Sequence, residues 1–371
     1  MTVLGWDFSA DREAALDRAY MRRALSLARR GWGQTAPNPM VGAVIVRDGG
    51  VVGEGYHPRY GESHAEVTAL QAAGQRARGA TMYVTLEPCA HFGKTPPCVD
   101  AILAAGVRRV VIATEDPNPI ATGGRERLAR AGVAVTIGVE ETRAREQNAI
   151  FLHTQTSRRA WVTLKLAMSL DGAIADARGS SRWITGRAAR RAAHWLRAGH
   201  DALAVGIGTV LADDPRLTVR GVRAPRVPPI RIVFDRQARL PLDSRLARTA
   251  RRTSTLVIAE RPLSARVRAL HQQGIDVMRS SSLHDALVEL RQRDVRSVLV
   301  EGGARLAGAL VERALVDRLI IFHAPVLLGA GALPAFVFAS AVTLSDAPRF
   351  VPVERHRLGD DIMTVYAPRP S

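Results

Sequence analysis

Two cysteines constrain this chain more than any other feature. Cys89 and Cys98 are its full complement in 371 residues. A pair of thiols nine positions apart, in a chain with no secretory leader pattern, suits a metal better than a disulfide framework. Upstream stands His64-Ala65-Glu66, placed where an apolar helix pattern begins. One imidazole and two thiolates give three ligands to zinc and leave the fourth tetrahedral position for water. Glu66, two residues from His64, can reach that water without becoming a ligand itself. Zinc lowers the pKa of bound water towards neutrality, and a neighbouring carboxylate can then shuttle its protons. His91, inside the loop between the cysteines, is the competing fourth ligand, and with it the site would be closed and structural.

The hydrophobic pattern supplies a framework. Residues 11–30 repeat apolar side chains at helical spacing, and 40–46 and 51–56 read as strands joined by Asp48-Gly49-Gly50. Residues 63–73 read as a helix capped by Ser63, with Glu66 completing a capping box. A strand at 82–86 runs into Glu87-Pro88-Cys89. Helix at 98–105, strand at 107–113 and helix at 125–131 follow. This alternation predicts an α/β layered architecture. A polar stretch at 151–159 marks a division into two domains, 1–152 and 153–371. Beyond it, strand patterns at 161–167, 202–207, 230–234, 255–258, 297–300 and 318–324 predict a second α/β domain.

The formal net charge is +17, which raises the question of nucleic acid. The basic residues are spread along the chain without aromatic interleaving, and 187–191 reads as a solvated helix face. We therefore expect small-molecule, phosphorylated partners rather than nucleic acid. No apolar run reaches the roughly 20 residues of a membrane span, so a cytoplasmic protein is expected. Of 52 basic residues only Lys94 and Lys165 are lysine, and asparagine occurs only at 38, 118 and 148. In a chain that avoids these residue types, those positions are candidates for chemistry that arginine cannot supply.

The H-x-E half matches the general signature of zinc nucleobase deaminases, but the second half is P-C-x8-C instead of P-C-x-x-C. The long segment Tyr83-Val84-Thr85-Leu86-Glu87-Pro88-Cys89-Ala90-His91-Phe92-Gly93-Lys94-Thr95-Pro96-Pro97-Cys98 resembles the deaminase half of the bifunctional riboflavin-biosynthesis deaminase/reductase family, where that spacing is normal. Pro37-Asn38-Pro39 and Asp116-Pro117-Asn118-Pro119 are similar to it as well. The resemblance implies His64, Cys89 and Cys98 as zinc ligands, Glu66 as proton shuttle, and Asn38, His57 and Lys94 as substrate contacts. For His57, an ordinary loop histidine is the competing reading.

The second half resembles the reductase half of the same family. The resemblance rests on Thr163-Leu164-Lys165-Leu166-Ala167-Met168-Ser169-Leu170-Asp171-Gly172, on Ser181-Arg182-Trp183, on the run from Val205 to Pro215, and on Val300-Glu301-Gly302-Gly303. It implies a cytidine-deaminase-like domain followed by a dihydrofolate-reductase-like domain that uses NADPH, and a homo-oligomer. Implied cofactor contacts are Ala167, Trp183, Thr209, Asp213 and the run Gly303, Ala304, Arg305, Leu306, Ala307, Gly308 and Ala309. Implied substrate contacts are Ser181, Arg197, Leu217, Arg220 and Glu301. Lys165 is expected to assist sugar ring opening, and Glu301 to orient or protonate the sugar. A surface lysine and a packing aromatic are the competing readings of Lys165 and Trp183. Three departures stand out. The loop after Pro119 is short and ends Gly123-Gly124. Arg236 replaces a small polar residue and is a candidate for the NADPH 2′-phosphate, with a simply exposed arginine the competing reading. Arg305 is bulky beside a pyrophosphate.

Overall fold

The computed structural model describes residues 8–92, 96–118 and 121–369. The chain divides into two compact units, Met1–Thr156 and Ser157–Ser371.

In the first unit, helix α1 (Phe8–Ala28) precedes a five-stranded sheet. Its strands are β1 (Gly42–Arg47), β2 (Gly50–Tyr56), β3 (Thr81–Val84), β4 (Arg109–Ile112) and β5 (Ala134–Ile137), in the order β2-β1-β3-β4-β5. β1 is almost wholly apolar and buried, as a central strand must be. It turns into antiparallel β2 through Asp48 and Gly49, both at positive φ, the requirement of a tight two-residue hairpin. β3, β4 and β5 run parallel. They alternate with α2 (Ala65–Ala73), α3 (Cys98–Ala104) and α4 (Gly124–Arg130), and α5 (Glu141–Gln147) and α6 (Ala149–Thr156) close the unit. α2 lies hard against β2: a Cβ on Gly55 would fall 2.3 Å from the Ala65 carbonyl oxygen. Glycine there lets the helix that begins the site sit directly on the sheet.

The expected capping box at Ser63 is not formed. The helix starts one residue later than that box requires, with His64 extended at the N-cap and no side-chain cap. Ser63 is exposed and its carbonyl is taken by His57, so Glu66 falls in the first turn with its side chain turned inward. α6 is a continuous helix through residues 152 and 153, where the sequence pattern placed the division; the units part after Thr156.

The second unit is built on nine strands in one sheet and two in a small one. They are β6 (Trp161–Met168), β7 (Ala173–Ala175), β8 (Ala202–Gly206), β9 (Ile230–Phe234), β10 (Thr255–Ala259), β11 (Asp276–Arg279), β12 (Ser297–Glu301), β13 (Arg318–His323), β14 (Leu333–Pro334), β15 (Phe350–Leu358) and β16 (Asp361–Pro368). The large sheet runs β11-β10-β9-β8-β12-β6-β13-β16-β15, and β7 pairs with β14. The strands from β11 to β13 are parallel, and β16 and β15 add antiparallel to that edge. Helices α7 (Arg187–Ala198), α8 (Ile207–Asp213), α9 (Arg245–Arg248), α10 (Ser264–Gln272), α11 (Leu283–Gln292) and α12 (Ala304–Glu312) connect them. Apolar clusters form the core, one around Leu164, Val298 and Leu310, the other around Val205, Val233 and Phe322. Parallel strands leave a crevice outside their carboxyl ends, where ligands of open α/β sheets collect.

Candidate active sites, one in each unit

In the first unit, α2 brings His64 to the end of the sheet from which Cys89 emerges, and α3 begins at Cys98. His64 Nδ1 stands 3.2 Å from Cys98 Sγ and 3.6 Å from Cys89 Sγ. The three ligand atoms lie within 4.8 Å of one another. Ligands held at about 2.0–2.3 Å by a single tetrahedral ion stand roughly 3.5 Å apart, so this donor set fits zinc. His91 is not among the three. The hydrogen bond between the two sulfurs, with burial, pushes the Cys98 thiol up, and the same contact together with His64 pulls Cys89 below the usual thiol range. That favours the thiolate, the form that binds metal.

Glu66 is 3% exposed, and burial pushes its carboxyl up while the neighbouring His64 pulls the other way. A carboxyl so placed exchanges protons closer to neutrality than an exposed one. Next to His64, His57 Nδ1 donates to the Ser63 carbonyl over 3.1 Å, and Asn38 Nδ2 donates to His57 Nε2 over 3.2 Å. Burial lowers the His57 pKa, which agrees with a neutral ring held by one donor and one acceptor. The His57 and His64 rings meet edge to face with centroids 5.4 Å apart. Lys94 lies outside the described residues.

Two supports of this site were given no role by the sequence. Buried Asn148 accepts from the Met40 amide over 2.9 Å and donates to the Met40 carbonyl over 2.8 Å, so it fixes the loop that carries Asn38. Its rarity in the chain was the available signal. Glu87 accepts from the amides of Arg125 (2.9 Å) and Asp116 (3.4 Å) and so braces the loop around Cys89.

In the second unit a cavity of about 1530 Å³ opens at the carboxyl ends of β6, β8, β9, β10 and β12. It is lined by Lys165, Ala167, Ser181, Trp183, Arg197, Thr209, Asp213, Leu217, Arg220, Arg236, Glu301, Gly303, Ala304, Arg305, Leu306 and Ala309. Ala307 and Gly308 do not line it. Both are buried, Ala307 in the core and Gly308 against the backbone of Val337, since successive helix positions turn about 100°. Gly302 and Gly303 both adopt positive φ, and Gly303 is the N-cap of α12. A Cβ on Gly303 would crowd the Thr209 hydroxyl at 3.3 Å. The turn thus exposes backbone and a helix N-terminus to the cavity, which suits an anion.

Immediately before that turn stands a charged set. Lys165 on β6 and Glu301 on β12 are register partners on adjacent parallel strands, so their side chains share a face. Glu301 is gripped by Arg197 from α7 through two bonds of 2.5 and 2.7 Å, and Arg197 also donates to the Thr218 carbonyl. Burial pushes the Glu301 carboxyl up, but Arg197 and then Lys165 outweigh it and hold it at about 2. Burial lowers the Lys165 pKa, with Glu301 opposing. Its ammonium lies 5.1 Å from the centre of the Phe322 ring. His194, pushed down to about 4 by burial and by Arg197 and Arg220, adds no charge near neutrality.

Ser181 donates to the Asp213 carboxylate over 3.2 Å. Trp183 is 72% exposed at the cavity wall, with the Arg190 guanidinium stacked 4.4 Å from its ring centre. Nothing in the arginine-rich run of α7 set Arg190 apart. Arg236, at the carboxyl end of β9, leaves its side chain open to solvent.

A three-ligand metal cluster with a buried carboxylate beside it defines the first unit as a zinc hydrolase of the deaminase class. A strand-end cavity with an anion-binding turn marks the second as a nucleotide-cofactor enzyme. The family profile described as "Cytidine and deoxycytidylate deaminase zinc-binding region" matches residues 14–114, and that described as "RibD C-terminal domain" matches residues 160–362. The chain is 44% identical over 319 residues to the riboflavin biosynthesis protein RibD of Aquifex aeolicus, covering 85% of this chain and 89% of that one. It is 43% identical over 364 residues to RibD of Escherichia coli, covering 93% and 98%. Among solved structures, RibD of Acinetobacter baumannii superposes with a TM-score of 0.82 at 40% identity, over 96% of this chain and 100% of that one. The deaminase/reductase of Thermotoga maritima gives 0.83 at 35% identity, over the same shares. The chain belongs to the RibD family of bifunctional deaminase/reductases of riboflavin biosynthesis. Its fold is the expected pair, a cytidine-deaminase-like unit followed by a RibD-type reductase unit, and its cofactors are zinc and NADPH.

Proposed function

We propose that the first unit deaminates 2,5-diamino-6-(5-phosphoribosylamino)pyrimidin-4(3H)-one and that the second reduces the resulting 5-amino-6-(5-phosphoribosylamino)uracil to its ribityl form. The observation that carries this reading is the presence, in one chain, of the His64/Cys89/Cys98 cluster beside Glu66 and of the Lys165/Glu301/Arg197 set in a strand-end cavity. His64, Cys89 and Cys98 would hold zinc, which when bound supplies the Lewis acid that activates water. Glu66 takes the proton of the attacking water and returns protons to the ring nitrogen and the departing amine. Asn38 and His57 orient the pyrimidine, and Lys94 meets the ribose phosphate. Expelling ammonia leaves the uracil that the second unit consumes.

NADPH, when bound, supplies the hydride for the ribosyl C1. Thr209, Ala167, Trp183, Asp213 and the Gly303 turn with Ala304, Arg305, Leu306 and Ala309 would hold it, with Arg236 the candidate for its 2′-phosphate. Lys165 delivers a proton to the ring oxygen as the C1–O bond opens. In this reading Glu301 orients and does not protonate, which is supported by the acceptance of both its oxygens from Arg197 and by the hold of Arg197 and Lys165 on its carboxyl at low pKa. It instead keeps the Lys165 ammonium charged and aimed at the sugar. Ser181, Leu217, Arg197 and Arg220 contact the substrate. No helix of the described residues is long and apolar enough to cross a membrane; a cytoplasmic homo-oligomer fits a soluble substrate and cofactor.

The test is to give the zinc-loaded protein the diaminopyrimidine ribotide and NADPH, and to follow ammonia and NADPH oxidation together. The reading expects ammonia first and NADPH loss after it. NADPH oxidation with no ammonia, or ammonia with no NADPH oxidation, overturns one half of it.

A further inference from the structure

We infer that Asp361 is a positioning residue for the NADPH side of the reductase cavity; this rests on the reading of the second unit as the NADPH-dependent half. Asp361 is far from the cavity in sequence and is not among its lining residues. It opens β16 directly after the turn at Gly359 and is 4% exposed. Its carboxylate accepts a 2.7 Å hydrogen bond from the amide of Gly186, the N-cap of α7. A buried carboxylate at that place needs a reason, and the helix supplies it.

The N-terminus of a helix leaves amides without partners and attracts negative charge. α7 has no means of its own to meet this. Its N-cap is glycine, it has no side-chain cap, and its first turn carries no acidic residue. Arg187 and Arg190 stand there instead, which is unfavourable beside the positive end of the dipole. Asp361, brought in by the terminal hairpin from 175 positions away, is the missing acid.

What this anchor holds is one wall of the cavity. Residues 183–185 run directly into Gly186, whereas Ser181 and Arg182 before them are tied separately to Asp213, over 3.2 and 2.7 Å. Arg190, one turn into α7, donates to the Thr185 carbonyl over 2.6 Å and stacks on Trp183. The far end of α7, about 16 Å on at 1.5 Å per residue, is fixed independently by Arg197 on Glu301 and Thr218. Loss of Asp361 therefore frees the Trp183 and Arg190 end and leaves the Arg197 end in place. The consequence is selective: NADPH binding weakens while the phosphoribosyl substrate is held as before.

The experiment compares the full zinc-loaded chain with Asp361→Asn and Asp361→Ala. NADPH affinity is read by titrating its fluorescence, the KM for the deaminated substrate by steady-state kinetics, and local opening by amide hydrogen exchange. Removing a charged cap is expected to weaken NADPH binding about 3- to 10-fold. Asn keeps an acceptor without the charge and falls between Asp and Ala. Exchange accelerates over residues 183–190, while substrate KM and ammonia release stay at the wild-type level. Wild-type NADPH affinity in both variants overturns the inference, as does a substrate KM that rises in step with the NADPH constant, which would mark a general loosening. If Asp361→Ala does not fold, Asp361→Asn decides alone, by weaker NADPH binding or its absence. If the wild type itself fails to bind NADPH, the cofactor reading falls. Hydrogen exchange then decides the anchor: faster exchange confined to 183–190 upholds it, and unchanged exchange sinks it.

Discussion

The two sites of this chain are assembled in different ways. The first is made of three ligand atoms within 4.8 Å, a buried Glu66 and a histidine pinned from both sides, all delivered by the beginnings of two helices and the two loops that follow β2 and β3. The second is a cavity of about 1530 Å³ walled by the ends of five parallel strands and their following helices. A metal site needs short fixed spacings, so its parts cluster in sequence. A crevice for two large ligands needs area, so its parts are drawn from residues 165 to 337. A single side chain can therefore silence the first site, whereas most single changes at the second should only erode it.

The sharpest test of this contrast is Glu66→Gln. Removing a general acid–base is expected to cut deamination by about 10²- to 10⁴-fold. Zinc content should be retained, because Glu66 is not a ligand. Reduction of pre-deaminated substrate should not change. Chelating the zinc should give the same split, with ammonia release lost and NADPH oxidation kept. A Glu66→Gln protein that deaminates normally would remove the carboxylate from the mechanism.

Next in size is the charged set of the second site. Lys165→Met is expected to slow reduction by about 10²-fold if Lys165 is the proton donor. The pH profile gives a finer readout. A donor must be protonated, so reduction falls as pH rises through the Lys165 pKa. Burial lowers that pKa, and Glu301 is the group holding it up. Glu301→Gln should therefore move the alkaline limb to lower pH, beyond any change in rate. An unmoved limb would assign the titration, and the proton, to another group.

What the sequence disclosed follows the same contrast. The ligand trio and Glu66 were readable because zinc chemistry dictates residue types at short spacing, and the structure brings the three ligands together. The Asp48-Gly49 hairpin was readable because only a few residues accept its positive φ. Ser63 misled because the capping pattern is local, whereas His64 is drawn to the N-cap by the thiols it faces. In the second unit, Lys165 was visible by its rarity, but its pairing with Glu301 is a matter of strand register across more than a hundred residues. Ala307 and Gly308 entered because the resemblance implied the whole run from Gly303 to Ala309, while the helix buries both, Ala307 in the core and Gly308 against Val337. The hairpin of β15 and β16 gave no clear strand signal. Pro352 and several charged residues sit within it, and it is an edge where such residues are tolerated.

Asn148 lets the comparison be pressed at a residue that touches neither metal nor ligand. Asn148→Ala removes two buried hydrogen bonds and leaves the Met40 amide and carbonyl unpaired. Unsatisfied buried groups cost about 1–3 kcal/mol each, so thermal unfolding of the first unit should occur at lower temperature. The loop bearing Asn38 should loosen, raising KM for deamination several-fold, with reduction untouched. A stable variant with unchanged KM would show that the loop is held by its other contacts.

The smallest effect should come from Arg236, and its size is itself informative. The side chain is 84% exposed and its nearest carboxylate, on Glu260, is 3.9 Å away. Exposed ion pairs are worth about 0.2–1 kcal/mol because water and salt screen them. Arg236→Ala should thus weaken NADPH binding by only about 2- to 5-fold, measured by fluorescence titration, and leave NADH binding unchanged. The loss should shrink as salt is raised. Equal losses for the two cofactors would mean that Arg236 shapes the cavity wall and does not meet the 2′-phosphate. A loss far above this range would mean that the bound cofactor buries the guanidinium, and that this part of the broad cavity behaves like the compact site in the first unit.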